Sequence, residues 1–150
     1  MRNATIRLTK DSDLVEIAEL ISRSIRTLNA ADDSPEDIAW VCATLNVNHL
    51  RRHLITREVF VLEVDGKIKG TSSLKVDRLH TLFVEPRCVR MGYGRKLVNH
   101  IEILAHNNHV SVLKVSAART SVAFYERLGF KKLEFEQREF ASTWAMEKRL

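Results

Sequence analysis

Two glycines one residue apart, Gly92 and Gly94, lie between an apolar segment stopped by Pro86 and an amphipathic segment that runs to His106. Because glycine has no Cβ, the backbone of such a turn can approach a ligand closely. The amides in the first turn of a helix have no internal partner and carry the positive end of the helix dipole. The turn is therefore predicted to bind an anion through its main chain, and a pyrophosphate suits this type of site.

The residues around this turn disfavour two common phosphate-binding loops. A P-loop ends in Gly-Lys followed by Ser or Thr, whereas Gly94 is followed by Arg95 and Lys96. The dinucleotide-binding pattern needs a third glycine where this chain has Leu97. Four cations in a stretch without acidic residues would attract an anion, although they also fit a solvated positive face. They are Arg87, Arg90, Arg95 and Lys96.

Tyr125 is a second candidate, because it lies in a short segment that directly follows another predicted strand. Its neighbours Phe124, Leu128 and Phe130 are predicted to pack in the core. A tyrosine in such a segment can turn its polar tip toward a site. The alternative is a buried tyrosine whose hydroxyl is satisfied by a neighbouring group.

The hydrophobic pattern predicts the elements that would position these residues. Apolar residues alternate along the predicted strands and recur every three or four residues along the predicted helices. Strands are predicted at 5–8, 59–64, 68–76, 79–84, 112–117, about 131–138 and 142–148, and helices at 11–25, 92–106 and 121–128. Asp11 can cap the first helix, Ser34 caps a second helix with Pro35 at its first position, and 48–55 is a further amphipathic stretch. The order β-α-α-β-β-β-α-β-α-β-β predicts one mixed α/β domain over residues 1–150, with antiparallel early strands and a later βαβ unit.

Composition excludes several other classes of protein. The chain has 150 residues, of which 45% are hydrophobic and 29% charged, which excludes disorder, collagen-like repeats and a disulfide scaffold. No apolar run reaches the roughly 20 residues of a membrane span, and the first residues do not form a secretory signal. Cys42 and Cys88 have no metal-type spacing, so free thiols in the cytoplasm are expected. The net charge of +5 lies entirely in the second half of the chain.

Three segments together resemble the GNAT superfamily of acyl-CoA-dependent N-acetyltransferases. The run 82–86, the glycine pair followed by Leu97, and the run 124–130 are similar to its two signature motifs, and the order of elements matches over nearly the whole chain. The segment 34–40 is similar to the second helix of a bacterial subgroup of small, mostly uncharacterised members. The resemblance implies a mixed, mostly antiparallel sheet of about seven strands flanked by helices. It also implies acetyl-CoA as co-substrate and an amine acceptor.

The resemblance further implies which residues bind acetyl-CoA. Main-chain amides of one loop would hold the pyrophosphate: Val89, Arg90, Met91, Gly92, Tyr93, Gly94 and Arg95. The backbone of Leu82, Phe83 and Val84 would pair with the pantetheine arm like an added strand. Two positions depart from the family pattern, since Val89 replaces a Gln or Arg and Ala118 replaces an Asn that binds pantetheine. We expect binding to survive because the loop contact is largely through the main chain, with Arg90 supplying a cation.

For catalysis, the resemblance assigns Tyr125 as the acid that protonates the leaving thiolate. A thiol has a pKa of about 8.5 and a phenol about 10, so the transfer is feasible. His80 is the candidate base or relay, and the alternative is a structural or substrate-lining histidine. Glu85 is a weaker candidate, expected at the solvated end of its strand.

The acceptor is expected to contact the segments 28–40 and 137–143. Asp33 and Trp40 are the candidate acceptor-binding residues together with His80; Trp40 could instead fill the core. Asp32, Asp33, Glu36 and Asp37 could attract a cationic amine, although acids at a helix start also serve as caps. No metal site, nucleic-acid partner or membrane partner is expected, and the resemblance allows a homodimer.

Two other functions are compatible with these residues. A GNAT-like module that binds acyl-CoA for regulation would explain the departures at Val89 and Ala118. A nucleic-acid-binding domain would use the basic second half, but the stretch 87–96 lacks the interleaved aromatic residues that stack on bases.

Overall fold

Seven strands and five helices follow one another in the computed structural model, which describes residues 3–28, 33–139 and 142–150. The strands are β1 Ala4–Leu8, β2 Glu58–Val64, β3 Lys67–Lys75, β4 Arg78–Val84, β5 Val112–Ala117, β6 Lys131–Glu136 and β7 Thr143–Arg149. The helices are α1 Leu14–Leu28, α2 Pro35–Thr44, α3 Val47–Thr56, α4 Tyr93–Asn107 and α5 Val122–Arg127. The predicted mixed α/β domain is confirmed, and the amphipathic stretch at 48–55 forms the separate helix α3.

All seven strands belong to one sheet, in the order β1-β2-β3-β4-β5-β7-β6. The β4–β5 pair is parallel and every other pair is antiparallel. Helix α4 connects the parallel pair, because parallel neighbours need a crossover connection. The predicted combination of antiparallel early strands and a later βαβ unit is therefore confirmed.

Side-chain caps start α2 and α3, at Ser34 and Asn46 respectively. The Ser34 hydroxyl accepts a hydrogen bond from the Asp37 amide at 3.1 Å, which confirms the predicted start of α2. The first helix differs from the prediction, since a short 3₁₀ turn at Asp11–Asp13 precedes α1 and Lys10 takes the cap position. Asp13, not Asp11, closes that turn by accepting from the Lys10 amide at 2.8 Å.

The sheet separates two apolar cores. Helices α1, α2 and α3 cover one face, where Val61, Ile68 and Phe83 of the sheet pack against α1. Helices α4 and α5 cover the other face. The buried residues of this second core include Leu79, Val98, Ile101, Leu113, Val115, Tyr125 and Met146. None of the helices in the described ranges is long and apolar enough to span a membrane.

Strands β4 and β5 separate soon after they meet. Only Arg78 and Leu79 of β4 pair with β5, opposite Lys114 and Val115. From residue 80 to 84 the edge of β4 that faces β5 therefore has no partner among the described strands. The opposite edge of β4 contains a bulge, because the register with β3 shifts between Thr71 and Ser73. Thr81 adopts a positive φ of 53° within this bulge.

Candidate active site

The candidate site lies where the carboxyl ends of β4 and β5 diverge. The turn before α4 follows β4, and the turn before α5 follows β5. Because the two strands are parallel, both turns lie at the same edge of the sheet, where α/β proteins commonly bind ligands. The parallel pair therefore brings the two sequence motifs to one place.

The turn before α4 leaves its main-chain amides without a cap. Gly92 occupies the N-cap position with φ 81°, and no side chain of the described residues caps this helix. Its first turn contains no acidic residue, whereas α2 begins with Glu36 and Asp37 beside the Ser34 cap. Lys96 donates its amide to the Gly92 carbonyl at 3.1 Å, so the amides of residues 93–95 precede the first helical hydrogen bond. This geometry suits a bound anion.

Exposed residues surround the uncapped turn. Val89 is 42% exposed and Met91 52% exposed, so neither is held in the core. Arg90 has a positive φ of 75°, which makes it the second left-handed residue of the turn beside Gly92. The four cations predicted around the turn are all exposed: Arg87, Arg90, Arg95 and Lys96. The turn thus combines free amides with positive charge, as a diphosphate requires.

Helix α5 packs directly against the start of α4 through Gly94. A Cβ placed on Gly94 would lie 3.1 Å from Cζ of the Phe124 ring, closer than an ordinary contact. Phe124 precedes Tyr125, so the two motifs touch one residue before the candidate acid. Glycine at 94 is needed for this close approach, whereas at 92 it is needed for the left-handed backbone.

Tyr125 is buried, with only 4% of its surface exposed. Its ring makes edge contacts with Phe124 at 5.1 Å and with Phe130 at 5.3 Å between centroids. Burial raises the pKa of the phenol above its ordinary value, so the hydroxyl keeps its proton at neutral pH. No hydrogen-bond partner of this hydroxyl occurs among the described residues. The alternative prediction, that the Tyr125 hydroxyl forms a hydrogen bond with a neighbouring group, therefore has no support among the described residues.

The residues predicted to line the rest of the cofactor site lie along the gap between β4 and β5. Leu82, Phe83 and Val84 are half-buried on β4, and the Phe83 side chain packs on the α1 side of the sheet. Phe83 can therefore contribute only its main chain on the β5 side. Ala118 follows β5 directly, and its carbonyl accepts a hydrogen bond from the Ser121 amide at 2.8 Å.

His80 lies on the sheet face that α1 and α3 cover, opposite Ser73 of β3. The Ser73 hydroxyl donates to the His80 carbonyl at 3.1 Å. Burial lowers the pKa of the His80 imidazole to about 4, with further lowering by Arg57, Arg78 and Lys75. The ring is therefore neutral at physiological pH and is a weak base.

Glu85 is not at a solvated strand end, and this expectation was wrong. The residue is only 8% exposed, and its carboxylate accepts from Nη2 of Arg23 at 2.7 Å and from Nε at 3.2 Å. The ion pair also raises the pKa of the Arg23 guanidinium. A buried carboxylate held by an arginine is a structural contact between α1 and the end of β4. Glu85 is therefore a poor candidate for a base.

Two of the predicted acceptor residues are near α2: Asp33 lies just before this helix, and Trp40 lies in its middle. Asp33 is half-buried, and Trp40 is 45% exposed, so Trp40 does not fill the core. Helix α2 lies on the same side of the sheet as His80. Asp32 lies outside the described residues.

Sequence reasoning missed two polar groups near β4. Arg78 donates to the Ser116 hydroxyl at 3.0 Å, and Ser116 donates to the Glu136 carboxylate at 3.1 Å. Glu136 also accepts from the Thr143 hydroxyl at 3.1 Å. These residues come from β4, β5, β6 and β7, and only strand register brings them together. The second missed group is Arg57, which donates from Nη1 to the Thr81 hydroxyl at 3.0 Å.

Within residues 3–28, 33–139 and 142–150, no group of three or more His, Cys, Asp or Glu side chains is arranged to hold a metal ion. Cys42 and Cys88 are unpaired thiols, as predicted. The rings of His49 and His53 make an edge contact, with 4.7 Å between their centroids. Among the described residues, no further side chain joins them to form a group that could hold a metal ion.

Comparison with known proteins matches this chain to a family and to several structures. The family model described as an acetyltransferase (GNAT) domain matches residues 29–150. A GCN5-related N-acetyltransferase from Rhodopseudomonas palustris is 25% identical, with a TM-score of 0.93 over 100% of this chain and 98% of that chain. No curated protein sequence matches the chain.

Two further structures share the fold and were determined with a bound cofactor. The PaiA N-acetyltransferase from Thermoplasma acidophilum, in complex with coenzyme A, is 19% identical with a TM-score of 0.85 over 99% of both chains. YncA from Salmonella typhimurium, which contains its cofactor acetyl-CoA, is 20% identical with a TM-score of 0.68. That match covers 99% of this chain and 94% of that chain.

Proposed function

Because this chain belongs to the GNAT family of acetyltransferases, we propose that it transfers an acetyl group from acetyl-CoA directly to a primary amine within a ternary complex. The observation that carries the proposal is the contact between Gly94 and Phe124, which joins an anion-binding turn to the helix that contains a protonated tyrosine. Acetyl-CoA, when bound, supplies an acetyl group already activated as a thioester. The protein then has to bind, orient and move protons.

The turn before α4 fits the diphosphate of this co-substrate. The amides of Tyr93, Gly94 and Arg95 precede the first helical hydrogen bond and carry the positive end of the dipole of a 15-residue helix. Val89 offers no side-chain hydrogen bond, so the main chain provides the contact, and the exposed Arg90 adds a cation. The departure at Val89 therefore weakens binding without abolishing it.

The free edge of β4 fits the pantetheine arm. Main-chain groups of Leu82, Phe83 and Val84 have no strand partner on the β5 side, so an extended amide chain can pair there as an added strand. Ala118, on the other side of the gap, supplies no side-chain hydrogen bond. Main-chain amides at this edge can also polarise the acyl carbonyl.

Tyr125 serves as the general acid. Its burial keeps the phenol protonated at neutral pH, and its hydroxyl has no partner among the described residues to compete for the proton. The phenol donates that proton to the sulfur as the thiolate leaves. The raised pKa makes the phenol a weak acid, so it donates only as negative charge develops on the sulfur, and the phenolate left behind regains a proton from solvent before the next turnover.

His80 accepts a proton from the reacting nitrogen, directly or through water. With a pKa of about 4 the imidazole is too weak to deprotonate a free ammonium ion, whose proton must go to solvent before attack. The nitrogen becomes much more acidic as its bond to carbon forms, and a weak base can accept the proton at that stage. Asp33 and Trp40 would contact the acceptor from the α2 side.

The decisive experiment measures free-thiol release from acetyl-CoA over a diverse amine library. Release that depends on one class of amine, with a matching mass gain of an acetyl group on that amine, is expected. A protein that binds CoA by calorimetry but releases no thiol with any amine would instead be a regulatory acyl-CoA-binding module.

A further inference from the structure

Arg57, at the junction of α3 and β2, has a partly buried guanidinium that makes one hydrogen bond to the part of the chain that the structure describes. Its Nη1 donates to the Thr81 hydroxyl at 3.0 Å. Its Nε is shielded from solvent and has no hydrogen-bond partner among residues 3–28, 33–139 and 142–150. No carboxylate among the described residues pairs with Arg57, and burial lowers the pKa of its guanidinium. A desolvated donor without a partner costs free energy that a ligand oxygen would recover.

Other arginines of this chain show what the free edge of Arg57 can bind. Nε and Nη2 of Arg23 both donate to Glu85, at 3.2 and 2.7 Å. The same two atoms of Arg7 donate to Glu63, at 3.2 and 2.8 Å. The planar Nε–Nη2 edge of a guanidinium matches a carboxylate in this way. In Arg57 this edge has no partner within the described ranges.

The surroundings of Arg57 favour an anion. The charges that act on His53 and His80 come from cations and imidazoles, without any carboxylate among them. The groups that act on His53 are Arg57, His49, His80 and Arg52, and those that act on His80 are Arg57, Arg78 and Lys75. Because no described acidic residue is among the charges that act on these two histidines, their surroundings favour an anion over a cation.

The position of Arg57 links these surroundings to the proposed transfer site. Thr81, which holds Nη1, lies in the β4 bulge between His80 and Leu82. These neighbours are the proposed base and the first residue of the proposed pantetheine edge. An anionic group bound at Arg57 would therefore belong to a molecule at the acceptor side of the sheet.

We propose that the Nε–Nη2 edge of Arg57 binds a carboxylate of the acceptor, so that the acceptor is an amino acid or another amine that carries a carboxylate. This inference rests on the proposed acetyl transfer and specifies its substrate class. Thr81 fixes one end of the guanidinium and leaves the bidentate edge for the ligand. A small movement of the side chains that shield Nε is needed for both hydrogen bonds to form.

The kinetic test compares amino acids with their carboxamides, and with phosphoethanolamine as an amine that carries a phosphate. Rates are expressed per free amine, because a carboxamide changes the amine pKa. We expect kcat/KM to favour the carboxylates by roughly tenfold to a hundredfold, as for loss of a charge-assisted hydrogen bond. Equal use of carboxamides, or a preference for the phosphate, would overturn the proposal.

Two variants assign the preference to Arg57. Arg57→Gln should remove the preference for carboxylates. Arg57→Lys should retain part of it, because lysine keeps the charge but lacks the planar pair of N–H donors. Arg52→Gln is the matched control, since Arg52 is exposed and acts on the same histidines. A preference that survives in Arg57→Gln, or disappears equally in Arg52→Gln, would contradict the assignment.

A binding measurement separates failure of this inference from failure of the proposed function. The Nε–Hε NMR signal of Arg57, assigned from its loss in folded Arg57→Lys, is followed during titration with acetate or N-acetylglycine. We expect a saturable shift with both and none with N-acetylglycinamide. An unmoved signal overturns the carboxylate site even if neutral amines are acetylated. A saturable shift without any thiol release supports the site and rejects the transferase.

Discussion

At the level of single residues, Tyr125 makes the sharpest prediction. Tyr125→Phe should lower kcat by about a hundredfold or more, because it removes a general acid whose proton is retained by burial. The affinity for CoA should be unchanged, because the phenol lies at the sulfur end of the proposed site. Stability should also change little, since the hydroxyl has no partner among the described residues. Rapid-quench kinetics, calorimetry and thermal melting measure the three quantities, and an unchanged kcat would remove Tyr125 from the mechanism.

His80 makes a prediction about pH, and here the structure changes what the residue type alone suggests. An ordinary histidine would titrate near pH 6.5, whereas burial and three cations lower the pKa of this one to about 4. The rate per free amine should therefore stay flat from about pH 8 to pH 5.5 and fall only near pH 4. An NMR titration of the ring measures the pKa directly.

The variant His80→Gln should lower the plateau of that pH profile by roughly tenfold to a hundredfold. His106→Gln, a change at an exposed position of α4, is the matched control and should leave the rate unchanged. If the ring titrates near pH 6.5, or if the plateau survives in His80→Gln, His80 is not the base.

At the level of elements, Gly94 sets the distance between α4 and α5. Gly94→Ala puts a Cβ 3.1 Å from the Phe124 ring, so the ring and the helix that contains Tyr125 must shift. We expect kcat to fall by roughly tenfold to a hundredfold, as for other small displacements of a catalytic group. The second change Phe124→Leu shortens the obstructing side chain and should restore part of the activity. No recovery in the double variant would show that the contact with Phe124 is not the cause.

Gly92→Ala is compared with Gly94→Ala, because the two glycines differ in what an added Cβ would do. A Cβ at position 92 would meet no atom within 4 Å, but its φ of 81° is strained for alanine by about 1–2 kcal/mol. Gly92→Ala should therefore lower the affinity for acetyl-CoA and leave kcat nearly unchanged. The two glycines would then differ in function as well as in geometry, since Gly94 would affect kcat and Gly92 would affect the affinity for acetyl-CoA.

Local pattern was sufficient to predict most elements. Strand β5 was predicted with the bounds it has. Asp65-Gly66, a dipeptide typical of hairpin turns, connects β2 and β3, and both of its residues have positive φ. The bulge at Thr81 was not predictable, because it is a register shift between β3 and β4 and leaves no local signal. Since the bulge positions His80 and Thr81, the sequence could identify the strand but not the directions of its side chains.

At the level of the whole molecule, the missed residues share one cause. Arg23 and Glu85 are 62 positions apart, Arg57 and Thr81 are 24 apart, and Ser116 and Glu136 are 20 apart. Each pair meets only after the sheet has formed. The glycine turn and the tyrosine segment were recognisable because their chemistry depends on neighbouring positions in the chain. The proposed acceptor side, with residues from α2, α3 and β4, has no such local pattern.

The same assembly makes stability depend on pH. His53, 7% exposed, and His80 are held with pKa values of about 4, below the ordinary value of 6.5 expected in the unfolded chain. Between pH 6.5 and pH 4 the unfolded chain binds more protons, so protonation favours unfolding and stability falls as the pH falls. The carboxyl of Asp13 has a lowered pKa because of Arg7, so its contribution is lost only below about pH 4.

Urea unfolding at pH 7, 5.5 and 4.5 tests this dependence. We expect the free energy of unfolding to decrease across the range, with His53 contributing on the order of 1 kcal/mol after allowance for solvent screening. His53→Gln removes the titrating ring and should give a shallower decrease, whereas His106→Gln should keep the wild-type slope. Identical slopes in all three proteins would mean that His53 has the same pKa in the folded and the unfolded chain. The potential that we assign to the surroundings of Arg57 would then need to be reconsidered, because neutral and charged imidazoles affect an incoming carboxylate differently.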